Sequence, residues 1–518
     1  MKSEPSPVVT ANDYRAGIKD LLDRPLSGPW CVMSWLASTG LFILVVQIFG
    51  GVISGDSAES VYSTWSIAHL NLACAYPPAA HVHFPNAATP YASVAPLYPI
   101  ISGVASAILR IGHSVAFPSN AALGLHCSNA YGAIYRWSLH SGALNLTLQI
   151  AFLGWIVLMA SVVVLLRSTG RGHNGWEAVT LLLLAILPPV WMSVASDFHP
   201  QDLVTMACIL IAVAYAVRGR WMLAGVLLGL AFAGQQFALL AIAPITVIVP
   251  RSGRLSLFAG IALSIGAIDV PFIFLTSGRA LRTLIFGSSR LTIFGKSSPR
   301  ASGGTVLFAT HLQGDALFMV SRVLPILCAF AIAYWALRRL GAGVTESETL
   351  LSLVATSLSL RLVFEENLFG YYFMALAASL LCIEVLRGRL SGRVFVWMGM
   401  VTLAFNPIPW WLYLRWEARG FNLFMAAPLL FEAIVLFAFF VGARRRQFRW
   451  YLIASSIIVA LTCFPPLWGR AWTPQFAPHW LWQLILVPTG LMLASQSLRV
   501  AIRNHQSRHP IEVADTLS

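Results

Sequence analysis

The chain is 518 residues long, 58% hydrophobic and 10% charged, with a formal net charge of +14. Apolar runs of roughly 17 to 25 residues recur along nearly all of it, each long enough to cross a hydrocarbon core of about 30 Å as a helix. That composition excludes a soluble enzyme, a secreted disulfide scaffold and a disordered tail, and the unbroken runs exclude an outer-membrane barrel, whose strands alternate.

The expected fold is an all-α polytopic membrane protein of about 14 transmembrane helices, with a long first exterior loop carrying interfacial helices. The positive charge does not point to nucleic acid. Lys and Arg stand in short clusters between apolar runs, as the positive-inside pattern requires, and taking the clusters as cytoplasmic places 22 of the 34 positive charges inside. They lie around Lys19 and Arg24, Arg167 and Arg171, Arg218 and Arg220, Arg251 and Arg254, Arg338 and Arg339, Arg387 to Arg393, Arg444 to Arg449, and Arg499 to Arg508.

In chain order, 1–30 is a cytoplasmic segment, and the run after it starts too late and is too long for a cleavable signal peptide. The expected spans are about 31–53, 143–166, 176–194, 201–217, a hairpin over 221–250, then 255–275, 315–337, 347–363, 368–386, 393–412, 420–442, 450–467 and 480–497. Both termini then lie inside, with 499–518 as a cytoplasmic tail, 31–390 as a transmembrane core carrying the long exterior loops and 391–498 as additional helices. The stretch 221–250 is divided at Gly234, Gln235 and Gln236, because a single helix there would put Arg251 and Arg254 on the wrong side. For the same reason 95–111 is read as an interfacial or re-entrant helix, beginning at Pro96 and Pro99.

Two long exterior loops, 54–142 and 276–314, hold most of the chemistry-bearing residues, and nine of the twelve histidines lie on the exterior side. The first loop opens on Gly55-Asp56, after which Ala58, Val61, Trp65, Ala68 and Leu72 mark an amphipathic helix lying on the bilayer, with Ser60 and Thr64 on its polar side. Asp56 with Glu59 is a capping box, and also a pair of carboxylates where a lipid-borne phosphate would sit, Asp56 positioned to take a proton from an attacking hydroxyl. The two roles are compatible. Cys74 and Cys127 share this loop; they either pair in an oxidising exterior or remain separate thiols.

The turn SDFHPQD carries Asp197, His199 and Asp202. It is a competent helix start, with Pro200 at its first position, and equally a set of groups for sugar hydroxyls or a divalent ion; the sequence assigns no metal site and leaves the cofactor unknown. The second loop carries Arg290, Lys296 and Arg300 among glycines and serines, the composition of a phosphate cradle or of a contact with anionic headgroups. In RLVFEENLFGYYF, Arg361 lies within an apolar stretch, placed to pair with Glu365 or to reach a bound phosphate. Glu365, Glu366, Tyr371 and Tyr372 are expected at the membrane interface, the tyrosines in an aromatic belt. Asp269, Arg322 and Glu432 also fall within spans, and His311 in the loop before one.

Taken together, the acid just beyond the first span, the surface helix with its proline-tyrosine patch (Tyr91, Pro96, Tyr98, Pro99), the HPQD turn and the segment RGRWMLAGVLLGLAFAGQQFALLAIAPI resemble the GT-C superfamily of integral membrane glycosyltransferases, over residues 31–390. The resemblance implies an inverting transfer of a mannose-like hexose or a pentose from a polyprenyl-phosphate donor to a cell-envelope glycan or glycolipid. Asp56 would be the general base; Arg290, Lys296, Arg300 and Arg361 the phosphate ligands; and Asp197, His199, Asp202, Glu59 and Glu365 the substrate-holding groups. It further implies membrane lipid and a lipid-linked sugar as partners, no nucleic acid, and, with the Arg-rich composition, a bacterial inner membrane with the site facing out. The competing expectation is a transporter or flippase of lipid-linked saccharides, which predicts a site at the bilayer midplane and an internal repeat.

Overall fold

The computed structural model describes residues 19–49, 61, 64, 66–67, 96–109, 143–195, 198–275, 278, 281, 304–310, 312, 316–317, 319–341, 346–365, 368–405 and 482–508. Within these the fold is all-helical, with no β-strand. Seven helices are long and apolar enough to cross a membrane, eight if one bent pair counts as a single span. The expected spans at 420–442 and 450–467 lie outside the described residues, and those expected over 221–250, 368–386 and 393–412 are represented by shorter apolar helices, Trp221–Gly234, Gln236–Ile248, Gly370–Leu386 and Gly392–Ala404.

Helix α1 (Gly28–Phe49) packs on α3 (Ala143–Ser168), where Phe42 stacks on Trp155 with ring centroids 4.4 Å apart. Between them in the chain, α2 (Leu97–Leu109) starts directly after Pro96, as the proline pair suggests. The segment before it is also docked. Val61, Thr64 and Ser66 are buried, and Thr64 Oγ1 lies 2.6 Å from Ser102 Oγ of α2. Thr64, on the side expected to face water, is packed against protein instead, its hydroxyl paired with that of Ser102, which also bonds Pro99 O at 3.0 Å.

The run read as one span over 176–194 is two helices, α4 (Gly175–Ile186) and α5 (Pro188–Ala195), bent by 61°. Pro188 and Pro189 are the reason: a residue before proline is pushed out of the helical region, and Leu187 accordingly sits at φ −71°, ψ 118°. Then come α6 (Pro200–Val217), α7 (Trp221–Gly234), a 3₁₀ turn at Gln236–Ala238, α8 (Leu239–Ile248) and α9 (Arg251–Leu275). The division at Gln235 and Gln236 is therefore real. It also makes a hairpin: a Cβ at Gly253 would meet Trp221, one at Gly225 would meet Leu257, and one at Gly229 would lie 2.7 Å from Ile261 O. Partners advance together at a constant offset, so α7 and α9 run parallel, and α8 must carry the chain back between them. Arg220 and Arg251 therefore share one end of the bundle.

The remaining elements are the short α10 (Thr305–Thr310), a π turn at Met319–Val323 leading into α11 (Leu324–Leu340), α12 (Ser347–Phe364), a 3₁₀ turn at Gly370–Tyr372, α13 (Phe373–Leu386), α14 (Gly392–Ala404), and a π turn at Trp482–Leu486 leading into α15 (Val487–Arg508). Helix α15 continues eleven residues past the expected end of its span. Its Arg-rich last turns are held by protein: Gln506 donates to Arg339 O at 3.1 Å and His505 Nδ1 lies 3.2 Å from Glu346.

The arginine-rich helix ends meet at one end of the bundle. Arg167 pairs with Glu177 at 3.0 Å, and Glu177 also accepts from the Trp35 indole N–H at 3.0 Å. Arg171 lies 3.6 Å from Asp23 and beside Gly388. Arg387 binds Glu348 at 2.9 Å and Glu384 at 3.2 Å and donates to Ser497 O at 2.9 Å. A different set of polar groups occupies the opposite end.

Candidate functional site

The site is built on the start of α6, the end of α12 and the turn into α13. Phe198 takes a left-handed φ of 54°, which an L-residue with a bulky side chain adopts only at a cost of about 1–3 kcal/mol. The kink turns the chain into Pro200 at the head of α6. His199, at the cap position, makes no side-chain capping bond. Its Nδ1 lies 2.8 Å from Gln201 Nε2, and its ring stacks on Tyr371 with centroids 4.1 Å apart. Asp202 is no cap either. It is fully buried, and its Oδ2 accepts from Arg361 Nη1 at 3.0 Å.

Arg361 comes from the last turn of α12. Its guanidinium lies 3.7 Å from the centroid of the Tyr372 ring and 4.3 Å from that of Phe237, the residue presented by the break between α7 and α8. Its Nε lies 3.5 Å from Glu365 Oε2, and Glu365 Oε1 lies 3.0 Å from Arg322 Nη1 in the π turn before α11. Two carboxylates and two guanidiniums thus alternate, Asp202, Arg361, Glu365, Arg322, with charges that balance. Balance is what makes such a set tolerable away from water, since an isolated buried charge costs far more than it returns. Two acceptors inside the cluster, Asp202 Oδ1 and Gln201 Oε1, and two donors, Arg361 Nε and Arg322 Nε, make no hydrogen bond within the protein. Buried polar atoms are nearly always satisfied, so these atoms leave hydrogen-bonding capacity for water or for a ligand that both donates and accepts.

The backbone of the second exterior loop reaches the same place. Gly304 N donates to Glu365 O at 2.6 Å, and a Cβ at Gly304 would lie 2.6 Å from Val363 O, so the approach admits only glycine.

Of the residues singled out in the sequence, His199, Asp202, Arg361 and Glu365 come together. Asp56, Glu59, Asp197, Arg290, Lys296, Arg300, His311, Cys74 and Cys127 lie outside the described residues. Tyr371 is buried against His199 and Tyr372 lies against Arg361, so these rings wall the cluster; a guanidinium face-on to an aromatic ring outweighs the interface preference expected of tyrosine. Gln201 and Phe237 carry no signal in the sequence, and Arg322 shows there only as a charge within a span. Asp202 and Arg361 carry opposite charges in separate apolar runs, a signal that they meet. Among the described residues no three His, Cys, Asp or Glu side chains gather as metal ligands.

The fold and this cluster define a polytopic membrane protein with a charge-balanced polar site at the end of its bundle remote from its arginine-rich end. Residues 139–364, which include Asp202, Arg322 and Arg361, match the family model of glycosyltransferase family 87, a GT-C-type membrane glycosyltransferase family, and the resemblance seen in the sequence is borne out. Such a family implies a sugar donor and an acceptor. No curated protein and no solved structure matches the chain.

Proposed function

We propose that the protein transfers a sugar, with inversion, from a polyprenyl-phosphate donor to an envelope glycan or glycolipid on the exterior face of a bacterial inner membrane. The observation that carries this reading is the buried Asp202–Arg361–Glu365–Arg322 chain within and beside the family-matched stretch, with the orphan acceptors of Asp202 and Gln201 inside it. Acceptors set beside guanidinium donors suit hydroxyl-rich ligands, whose groups do both.

In this reading Asp56 removes the proton from the acceptor hydroxyl, that oxygen attacks the anomeric carbon, and the bond from that carbon to the phosphate oxygen breaks, its electron pair leaving with the polyprenyl phosphate. The departing dianion needs surplus positive charge. The balanced cluster has none to spare, so Arg290, Lys296 and Arg300 are assigned to the phosphate. Arg300 is four residues before Gly304, and four residues span at most about 14 Å, which keeps that cation within reach of Glu365. Arg361, held by two carboxylates, serves by fixing Asp202, while His199, Gln201, Asp202 and Glu365 hold the sugar or acceptor. Arg322 is the outermost member; the apolar side chains of Met319, Leu324 and Leu327 around it are exposed, as a flank toward lipid requires, and a polyprenyl chain would approach along them.

The test is turnover by purified protein against a panel of polyprenyl-phosphate sugars. General-base assistance is worth about 10² to 10⁴ in rate, so Asp56→Asn is expected to slow transfer by that order while thermal unfolding stays unchanged. Wild-type turnover in the variant removes Asp56 as the base.

A further inference from the structure

Helix α11 turns its small residues inward and its large ones out. Pro325, Ala329, Ala333 and Ala336 are buried against the bundle, while Leu324, Leu327, Phe330, Tyr334 and Trp335 are exposed. Leu324, Leu327, Phe330, Tyr334 and Arg338 recur at intervals of three or four, so one face of the helix is an apolar stripe that ends in a cation. A helix rises about 1.5 Å per residue, so Leu327 to Arg338 covers about 16 Å, close to the depth of one leaflet in a hydrocarbon core of about 30 Å. Arg322, at the start of the same helical run, belongs to the ion-pair chain, which puts Arg338 at the opposite, arginine-rich end.

The end of the stripe is ordered by contacts. Arg338 donates to Tyr334 Oη through Nε at 2.8 Å and also through Nη2, and its guanidinium carbon lies 5.0 Å from the centroid of the Tyr334 ring. The tyrosine takes one edge of the guanidinium and leaves the protons of Nη1 for another acceptor. Arg338, Arg339 and Arg503 are exposed, and among the described residues none of the three has a carboxylate partner: Glu346 pairs with His505 at 3.2 Å and Arg508 at 3.9 Å, and Glu348 with Arg387 at 2.9 Å. Arg503 stands one turn before Gln506, whose side chain bonds Arg339 O, so the ends of α11 and α15 meet here.

The geometry points to a binding site for an anionic phospholipid in the leaflet at the arginine-rich end, its phosphodiester held by Arg338 and Arg339 and an acyl chain laid along Tyr334, Phe330 and Leu327. A phosphodiester oxygen accepts from a guanidinium in a charge-assisted bond, and an acyl chain needs an exposed apolar face at the same depth; both features coincide on this one helix. Any arginine near a membrane surface attracts acidic lipid. Arg338 differs in being oriented by a tyrosine that itself stands in the lipid-facing stripe, so headgroup and chain are held by neighbouring turns of one element. The site is independent of the glycosyltransferase reading, since no residue of the ion-pair chain takes part in it.

The test is binding of dioleoyl phosphatidylglycerol and dioleoyl phosphatidylcholine to the purified full chain in detergent, read by native mass spectrometry and by the shift in unfolding temperature. The proteins are wild type, Arg338→Gln with Arg339→Gln, Tyr334→Phe and, as a control at the same end of the bundle, Arg251→Gln. Wild type is expected to hold phosphatidylglycerol about tenfold more tightly than phosphatidylcholine and to unfold at a higher temperature with it. The double variant is expected to lose that preference, Tyr334→Phe to weaken it and Arg251→Gln to keep it. Equal affinity of wild type for the two lipids overturns the inference. So does an equal loss in Arg251→Gln and the double variant, which would mean a diffuse response to surface charge, and so does displacement of the lipid by inorganic phosphate, which would mean a site for a free anion. Tyr334→Phe removes one oxygen only and decides the matter if the double variant does not fold: an undiminished preference there overturns the inference.

Discussion

Asp202 and Arg361 are 159 residues apart in the chain and 3.0 Å apart in space, and neither is stable where it stands without the other. Removing one partner of a buried pair strands the other, a loss of about 3–5 kcal/mol, whereas replacing both by apolar groups of similar volume is often neutral. Asp202→Ala is therefore expected to lower stability by about that amount, and the double variant Asp202→Leu with Arg361→Met to recover most of it while staying inactive. A double-mutant cycle on thermal unfolding, run beside a transfer assay, separates the two outcomes; recovery of activity along with stability would place the pair outside the chemistry. Tyr372→Leu removes the ring against the guanidinium and is expected to cost about 0.5–2 kcal/mol on the same assay. At this scale the sequence was legible in its types but not in its pairings. Arg361 stood out as a charge in an apolar run and Asp202 as an acid at a helix start, yet local signals describe a residue's neighbours along the chain, and both of these are satisfied across it.

Among the elements, the division at Gly234 to Gln236 was legible because arginine clusters on either side had to share one face of the membrane. The parallel packing of α7 and α9 was not. It depends on glycines at 225, 229, 253 and 260 letting two backbones approach, a feature seen only when both helices are in place. Cysteines in Trp221→Cys with Gly253→Cys should cross-link on mild oxidation, and a pair joining 221 to the far end of α9 should not; the reverse result would mean an antiparallel arrangement. Gly225→Ala drives a methyl into the backbone of Leu257, and a cost of about 1–3 kcal/mol is expected in unfolding experiments, as for other overpacked contacts. The bend at Leu187 was in plain view as Pro188 and Pro189, but hydrophobicity reads a span by length and is blind to a kink within it.

Across the whole molecule, charge is sorted by end. Arginines with Glu177, Glu348 and Glu384 close one end, and the Asp202 to Arg322 chain occupies the other. If the arginine-rich end is cytoplasmic, then in a variant with the seven native cysteines replaced a cysteine introduced at Ser507 should resist a membrane-impermeant thiol reagent added outside intact cells, and one at Ser298 should react. Equal labelling of both would remove the exterior placement of the site.

Hydrophobicity by itself determined that the chain is a helical membrane protein, and the spacing of its arginines determined which helix ends belong together, because both effects act between single residues and the bilayer. The order of its motifs carried a resemblance to membrane glycosyltransferases, and residues 139–364 match the model of one such family. Only the tertiary structure decided that Arg361 faces carboxylates on two sides, that Tyr371 and Tyr372 wall a site and do not ring the interface, and that Asp269 is sealed in without a partner among the described residues. Those outcomes depend on which helices lie side by side, and burial without water makes every polar group there answer to neighbours that sequence separation hides.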